Sequence, residues 1–222
     1  IRPEGWLRTY LRKQARGLVG HLEVAGYPFD TRGFTGSQIA MRTGEQWWPY
    51  EQYAYWIDGL ARTGYLLRDA PLIRKAEEQI RFILRHQDAD GYLGPAHLTS
   101  GEIYMGRWVQ AVLFRAFMAY HSFHGGDMPQ RLRRHFLGSG FRHVEWRDVC
   151  NVEGMLWAYA RTGDRRLLRR ALRDYAGYNK KFPKSPASLR NLLSGTVAKE
   201  HGVTYLEKLK LPALLYRFTG RR

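Results

Sequence analysis

Apolar positions recur along this chain at intervals of three and four. Between residues 4 and 22, Leu7, Leu11, Ala15, Leu18 and Leu22 fall along one side of a helix. Ile73, Ala76, Ile80 and Ile83 do the same across 71–86. Few windows show the strict alternation that marks a half-buried strand. The chain therefore reads as helical almost throughout.

A short phrase punctuates the helical pattern. Ala61-Arg62-Thr63-Gly64 precedes a helix carrying Leu66, Leu67, Leu72 and Ile73, and Ala160-Arg161-Thr162-Gly163 precedes Leu167, Leu168 and Ala171. Arg217-Phe218-Thr219-Gly220 ends the chain's last helix in the same way, and His124-Gly125-Gly126-Asp127 is a looser version. Each Gly is expected at the left-handed position that closes a helix. Asp69, Asp127 and Asp164 then stand where the next helix needs an N-cap. The phrases predict helical hairpins with short connections.

The two helices of each hairpin differ in character. Residues 108–120 carry one charge, Arg115, residues 154–160 carry none, and residues 53–67 carry Asp58 and Arg62. A helix apolar nearly all round is covered on all sides. The helices after each Gly have a charged face, such as Arg74, Lys75, Glu77, Glu78 and Arg81. Apolar inner helices alternating with charged outer ones predict an all-α fold, an (α/α)6 toroid of the six-hairpin type. The Gly residues lie 61, 38 and 57 positions apart, which fits a ring with long loops better than a regular solenoid. About four hairpins are legible over 1–222, read as a single domain, where a closed ring would need roughly two more. The expectation is an incomplete ring, truncated at Thr219-Gly220-Arg221-Arg222, whose uncovered apolar helices would favour self-association.

Composition narrows the picture further. Aromatic residues make up 14% and hydrophobic residues 44% of the 222 positions, enough for a packed core and too many for a disordered tail. The formal net charge is +16, and 28 of the 36 basic residues are Arg. The densest cluster, Arg165, Arg166, Arg169, Arg170 and Arg173, shares a helix with Leu167, Leu168, Ala171 and Leu172 on the other side. That is the pattern of a solvated face rather than a nucleic-acid surface, and no nucleic-acid-binding motif accompanies it. No apolar run approaches the ~20 residues of a membrane span. One cysteine, Cys150, excludes an intrachain disulfide and any zinc site built from several thiolates of this chain. The compartment stays open, because the sequence starts at Ile1 without a signal-peptide pattern.

Three loops lead into inner helices with chemically useful residues. Glu45-Gln46-Trp47-Trp48-Pro49-Tyr50-Glu51 pairs aromatic faces with a carboxylate, which suits a sugar: rings stack on its C–H face and the acid accepts its hydroxyls. The same tryptophans could equally staple the helix start to the core. Asp88-Ala89-Asp90-Gly91-Tyr92 resembles a calcium loop only superficially and reads as a tight turn at the rim, from which Tyr92 could reach substrate. Glu145-Trp146-Arg147-Asp148-Val149-Cys150-Asn151-Val152-Glu153 runs polar before its helix turns apolar, placing Asp148 and Asn151 toward a cleft, or Asp148 as a cap. His201 opens the last inner helix, a position suited to a substrate-binding side chain, and Pro212 should kink that helix. His121 and His124 could chelate a metal at i, i+3 but lack a third ligand and read as helix-end residues; no metal site is expected in this chain. Cys150 near a helix start could carry a lowered pKa, yet no base is assignable to it.

Taken in order, these segments resemble the β-L-arabinofuranosidase-like glycoside hydrolases, glycoside hydrolase family 127 and relatives. The stretch Trp48 to Gly64, with Tyr55-Trp56-Ile57-Asp58-Gly59-Leu60, is similar to their first inner helix. HQDADGYLGP (86–95) is similar to the turn after their first outer helix, and WAYARTGDRRLL (157–168) to a later hairpin. His201-Gly202-Val203, followed by Leu209-Lys210-Leu211-Pro212-Ala213-Leu214, resembles their His-Gly-Val helix. The resemblance implies an (α/α)6 barrel that hydrolyses glycosidic bonds, often in plant-derived glycans. In the characterised branch it also implies a cysteine nucleophile in a zinc site made by cysteines and a glutamate. Those residues follow the His-Gly-Val helix, so the nucleophile, the acid/base and any zinc are expected downstream of this chain. The residues then expected to contact a carbohydrate are Trp47, Trp48, Glu51, Asp58, Tyr92, Arg107, Asp148, Asn151 and His201. Two other readings remain: a polysaccharide lyase using Tyr104, Arg107, Asn151 and His201 on an acidic glycan, and a non-catalytic helical-hairpin scaffold.

Overall fold

A computed structural model describes residues 2–30, 48–94, 106–138, 146–195 and 197–220. Every regular element among them is helical. The N-terminal region holds α1 (Gly5–Arg16), α2 (Leu18–His21) and a 3-10 turn (Leu22–Ala25). Three hairpins follow: α3 (Trp48–Leu67) with α4 (Ala70–Arg85), α5 (Gly106–His124) with α6 (Met128–Leu137), and α7 (Val152–Thr162) with α8 (Arg165–Lys181). A 3-10 turn (Asp148–Asn151) leads into α7, and α9 (Leu189–Leu193), α10 (Gly202–Leu209) and α11 (Leu211–Thr219) close the chain.

The contrast between apolar and amphipathic helices is realised in the packing. Helix α3 lies against both α4 and α5, and α7 against both α6 and α8. Tyr50, Ala54, Ile57, Leu60 and Ala61 of α3 are fully buried, as are Trp108, Val112, Phe114 and Phe117 of α5. By contrast α4 buries one stripe, Leu72, Ala76, Ile80 and Ile83. Helix α8 buries Leu167, Ala171, Tyr175 and Tyr178, while Arg165, Arg166, Arg169 and Arg173 face solvent. Arg170 departs from its neighbours: it is half-buried and donates to the Phe136 carbonyl at 2.6 Å, tying α8 to α6.

The expected helix closures hold at Gly125, Gly163 and Gly220, with φ of 72°, 69° and 64°. They fail at Gly64, which lies inside α3. The left-handed residue there is Arg68, at φ 55°. Gly64 instead marks a close approach: a Cβ on it would meet the Ile73 nitrogen at 3.1 Å and Leu72 Cβ at 3.2 Å. Asp69 and Asp164 cap α4 and α8, accepting from Leu72 N at 3.1 Å and Arg166 N at 3.0 Å. Asp127 does not cap with its side chain; it pairs with Arg131 at 2.9 Å. The helix expected across 4–22 breaks at Gly17, and Leu18 is 73% exposed. Pro212 acts as expected, since the last inner helix divides at Lys210 and Pro212 sits in the first turn of α11.

Asp164 joins two hairpins, because Arg133 of α6 also reaches it at 2.6 Å. The Arg166 guanidinium beside it, with Arg133 in support, holds its carboxyl well below the usual range. A carboxylate depressed on folding contributes stability above its unfolded pKa of about 3.9, and that stability is lost as pH falls below it. Asp164→Ala should therefore lower the unfolding free energy by about 1–2 kcal/mol at pH 7. In urea titrations the gap to the wild type should narrow steadily below pH ~4.

Candidate functional site

A polar stripe crosses the apolar inner helices. On α3, Glu51, Tyr55, Asp58 and Arg62 succeed one another at spacings of four, three and four, which places them on one helical face. Arg62 Nε donates to Asp58 Oδ1 at 2.6 Å, and its Nη2 reaches the carbonyl of Arg115 on α5 at 3.3 Å. Arg115 pairs with Glu207 of α10. Lys210, at the break between α10 and α11, bridges Glu207 at 2.8 Å and Glu153 of α7 at 2.7 Å. Two sets of ion pairs, Asp58–Arg62 and Arg115–Glu207–Lys210–Glu153, are thus linked through the Arg115 carbonyl and join four helices. Nearer the start of α3, the Trp108 indole N–H of α5 donates to Glu51.

The electrostatics follow from partial burial. Burial raises the Asp58 carboxyl against the opposing pull of Arg62 and Arg115. Burial pushes the Tyr55 phenol up to about 12, with Glu51 adding to the shift. Burial works against the Lys210 charge, yet its bonds to Glu153 and Glu207 outweigh that cost and raise its pKa. The stripe is not sealed. Asp58, Arg115 and Glu207 keep 16%, 17% and 16% of their side-chain surface exposed, and Glu153 keeps 31%. Carboxylates in this state can accept hydrogen bonds from hydroxyl groups.

Other expected site residues lie elsewhere. Tyr92 and Arg107 are buried against each other, with the guanidinium 5.5 Å from the ring centre. Burial takes the Tyr92 phenol to about 12. His135 lies beside Tyr92, accepts from Leu93 N at 2.9 Å, and is kept neutral by burial. Asp148 and Asn151 are buried too. Asn151 Nδ2 donates to the Arg107 carbonyl at 2.8 Å and to the Asp148 carbonyl at 3.1 Å, pinning the turn before α7 to the start of α5. This group of four braces the inner helix starts from inside. His201 is exposed at the N-cap of α10, within 3.3 Å of the Thr204 hydroxyl. Trp48 is 42% exposed with its ring edge on Tyr27. Trp47, Tyr104 and Glu145 lie outside the described residues.

The Asp88–Tyr92 segment is the tight turn that its sequence predicts. Gly91 N donates to the Asp88 carbonyl at 2.8 Å, and Tyr92 N to Asp90 Oδ1 at 2.9 Å. Gly91 is required there twice over: its φ is 94°, and a Cβ would lie 2.9 Å from the Arg134 carbonyl oxygen. Cys150 is buried and its thiol is pushed up to about 12, so it remains protonated at neutral pH and offers no thiolate. His124 bonds Glu77, while His121 sets its ring against Trp157. Among the described residues no three His, Cys, Asp or Glu side chains gather as a metal-binding set. With one thiol, buried at Cys150, these residues do not themselves supply the cysteine-rich zinc set that the resemblance implies.

Sequence reasoning passed over Tyr55, Glu207 and Lys210 as members of one stripe. Arg115 did carry a signal, as the lone charge in the α5 core segment.

The stripe yields a contrast between residues. Burial opposes the charge of Asp58, and Arg62 is half exposed, so Asp58→Asn should change the unfolding free energy at pH 7 by less than about 1 kcal/mol. A carboxyl raised on folding loses stability as pH rises through its shifted pKa, so the variant should gain on the wild type between pH ~4 and 7. Arg115→Ala removes a partner from the half-buried Glu207 and should cost about 2–3 kcal/mol. Urea unfolding of both variants across pH checks these values.

None of the protein-family models, curated proteins or solved structures compared with this chain matches it.

Proposed function

We propose that this chain supplies one wall of the sugar-binding cleft of a glycoside hydrolase on an (α/α)6 toroid, of the β-L-arabinofuranosidase-like kind. One observation carries the reading: the half-open stripe Glu51–Tyr55–Asp58–Arg62, Arg115, Glu153 and Glu207 on helices that are otherwise mostly apolar. Buried charge is costly and isolated pairs seldom repay it. Four carboxylates held on inner helices, each still reached by solvent, suit a surface that exchanges hydrogen bonds with hydroxyl groups. Asp58 is the carboxylate whose charge burial opposes, and Trp48 is the exposed aromatic at the same end of α3 as Glu51. The substrate would be a plant-type arabinofuranoside or a close relative.

The lyase reading gains less, because Arg107 and Asn151 are buried in the brace beside Tyr92 and Asp148. The scaffold reading is favoured by a separate observation: Trp6, Leu18, Leu193 and Leu206 are each more than 60% exposed.

Titration with arabinofuranose-containing oligosaccharides, read by tryptophan fluorescence and calorimetry, tests the proposal. Saturable binding in the millimolar range or tighter should appear, and Asp58→Asn should weaken it about tenfold or more with the fold intact, about 1.4 kcal/mol. Absence of any sugar binding, with concentration-dependent association through the exposed apolar side chains, would instead support the scaffold.

A further inference from the structure

A concave site lies at the C-terminal end of α8. A cavity of about 670 Å³ opens between Trp146, the Phe182–Pro186 turn and Glu200. Its walls are Trp146, Phe182, Pro183 and Pro186, and Lys181 and Lys184 stand at its border, both exposed. Beneath it lies an unusual group. Lys208 is fully buried and pairs with Glu200, with its ammonium 4.1 Å from the Trp146 ring centre and 5.4 Å from that of Tyr178. Its Nζ also reaches Ser185 Oγ at 3.3 Å, and Ser185 in turn accepts from the Tyr178 hydroxyl at 2.7 Å.

The floor has a vacant acceptor. The Glu200 side chain is only 6% exposed, and its Oε1 accepts from Lys208. Its Oε2 is buried without a donor among the described residues. A buried carboxylate oxygen left in this way costs about 1–3 kcal/mol. The ion pair with Lys208 cancels the Glu200 charge, so the lysines at the border leave the cavity positive. A fitting occupant brings three things: an O–H for Oε2, a C–H-rich ring face for the Trp146 and Pro walls, and an anionic group for the lysines.

We propose that this cavity is a binding site for a sugar acid, a pyranose carrying a carboxylate such as a hexuronate. Its hydroxyl donates to Glu200 Oε2, its ring lies on Trp146, and its carboxylate meets Lys184 at the mouth. A volume of about 670 Å³ accommodates one or two such rings. The site stands on its own residues and does not depend on the α3 stripe binding sugar.

The test titrates the whole chain with galacturonate and digalacturonate, and in parallel with galactose, following tryptophan fluorescence and calorimetric heat. Galacturonate should bind at least tenfold more tightly than galactose. Lys184→Glu, at an exposed position, should weaken it at least fivefold, and 0.5 M NaCl should do likewise. Trp146→Phe should remove most of the fluorescence change. Asp58→Asn should leave galacturonate binding unaltered, which separates this site from the stripe. Equal binding of galactose and galacturonate, no binding of either, or indifference to Lys184→Glu would each overturn the proposal.

Discussion

The rest of the structure depends on the contact between α3 and α5, two helices that are apolar nearly all round. Ile57, Leu60 and Ala61 of α3 and Trp108, Val112, Phe114 and Phe117 of α5 are all out of reach of solvent. Burying each large apolar side chain is worth about 1.5–3 kcal/mol. Once two such helices lie together, their other sides must also be covered: α4 packs on α3, α6 and α7 on α5, and α8 on α7. A polar side chain left on these inner helices must then find a partner or a route to water. The Asp58–Arg62 pair, its bond to the Arg115 carbonyl, and the pairs from Arg115 through Glu207 to Lys210 and Glu153 follow from that constraint.

The chain of charges does two things at once. It ties α3, α5, α7 and α10 together through groups whose geometry is directional, which apolar contacts are not. It also keeps carboxylates at an interior surface where apolar residues would pack at lower cost. Asp58 shows the tension most clearly, since its burial works against its own charge. Retaining a disfavoured carboxylate beside Tyr55 and Glu51 is coherent with a surface meant to meet hydroxyl groups.

The hairpins, the inner and outer character of their helices, and the caps at Asp69 and Asp164 were legible because each is local. Periodicity assigns residues to a face, and an Asp after a Gly announces the next helix. Gly64 misled because the Ala-Arg-Thr-Gly phrase is the same as at Gly163. What distinguishes them is tertiary: Leu72 and Ile73 approach Gly64 too closely for a side chain, and α3 runs on to Arg68. The candidate site was legible in part. Glu51 and Asp58 share a face of α3 by spacing alone. Arg107, Tyr92, Asp148 and Asn151 also lie at helix starts and loops, yet they turn inward, Arg107 onto the Tyr92 ring and Asn151 onto the Arg107 and Asp148 carbonyls. No spacing along one helix tells which other helix it will face, so the pairing of Arg115 with Glu207, or of Lys208 with Glu200, could not be read from the sequence.

The central claim is that the α3 stripe and the α10–α11 junction form one sugar-facing surface. Hydrogen–deuterium exchange with and without an arabinofuranose-containing oligosaccharide tests it most directly. The account predicts slowed exchange in residues 48–58 and 206–214, with α4 and the exposed face of α8 unchanged. Protection confined to α4 or α8, or no protection at a saturating oligosaccharide concentration, would contradict it.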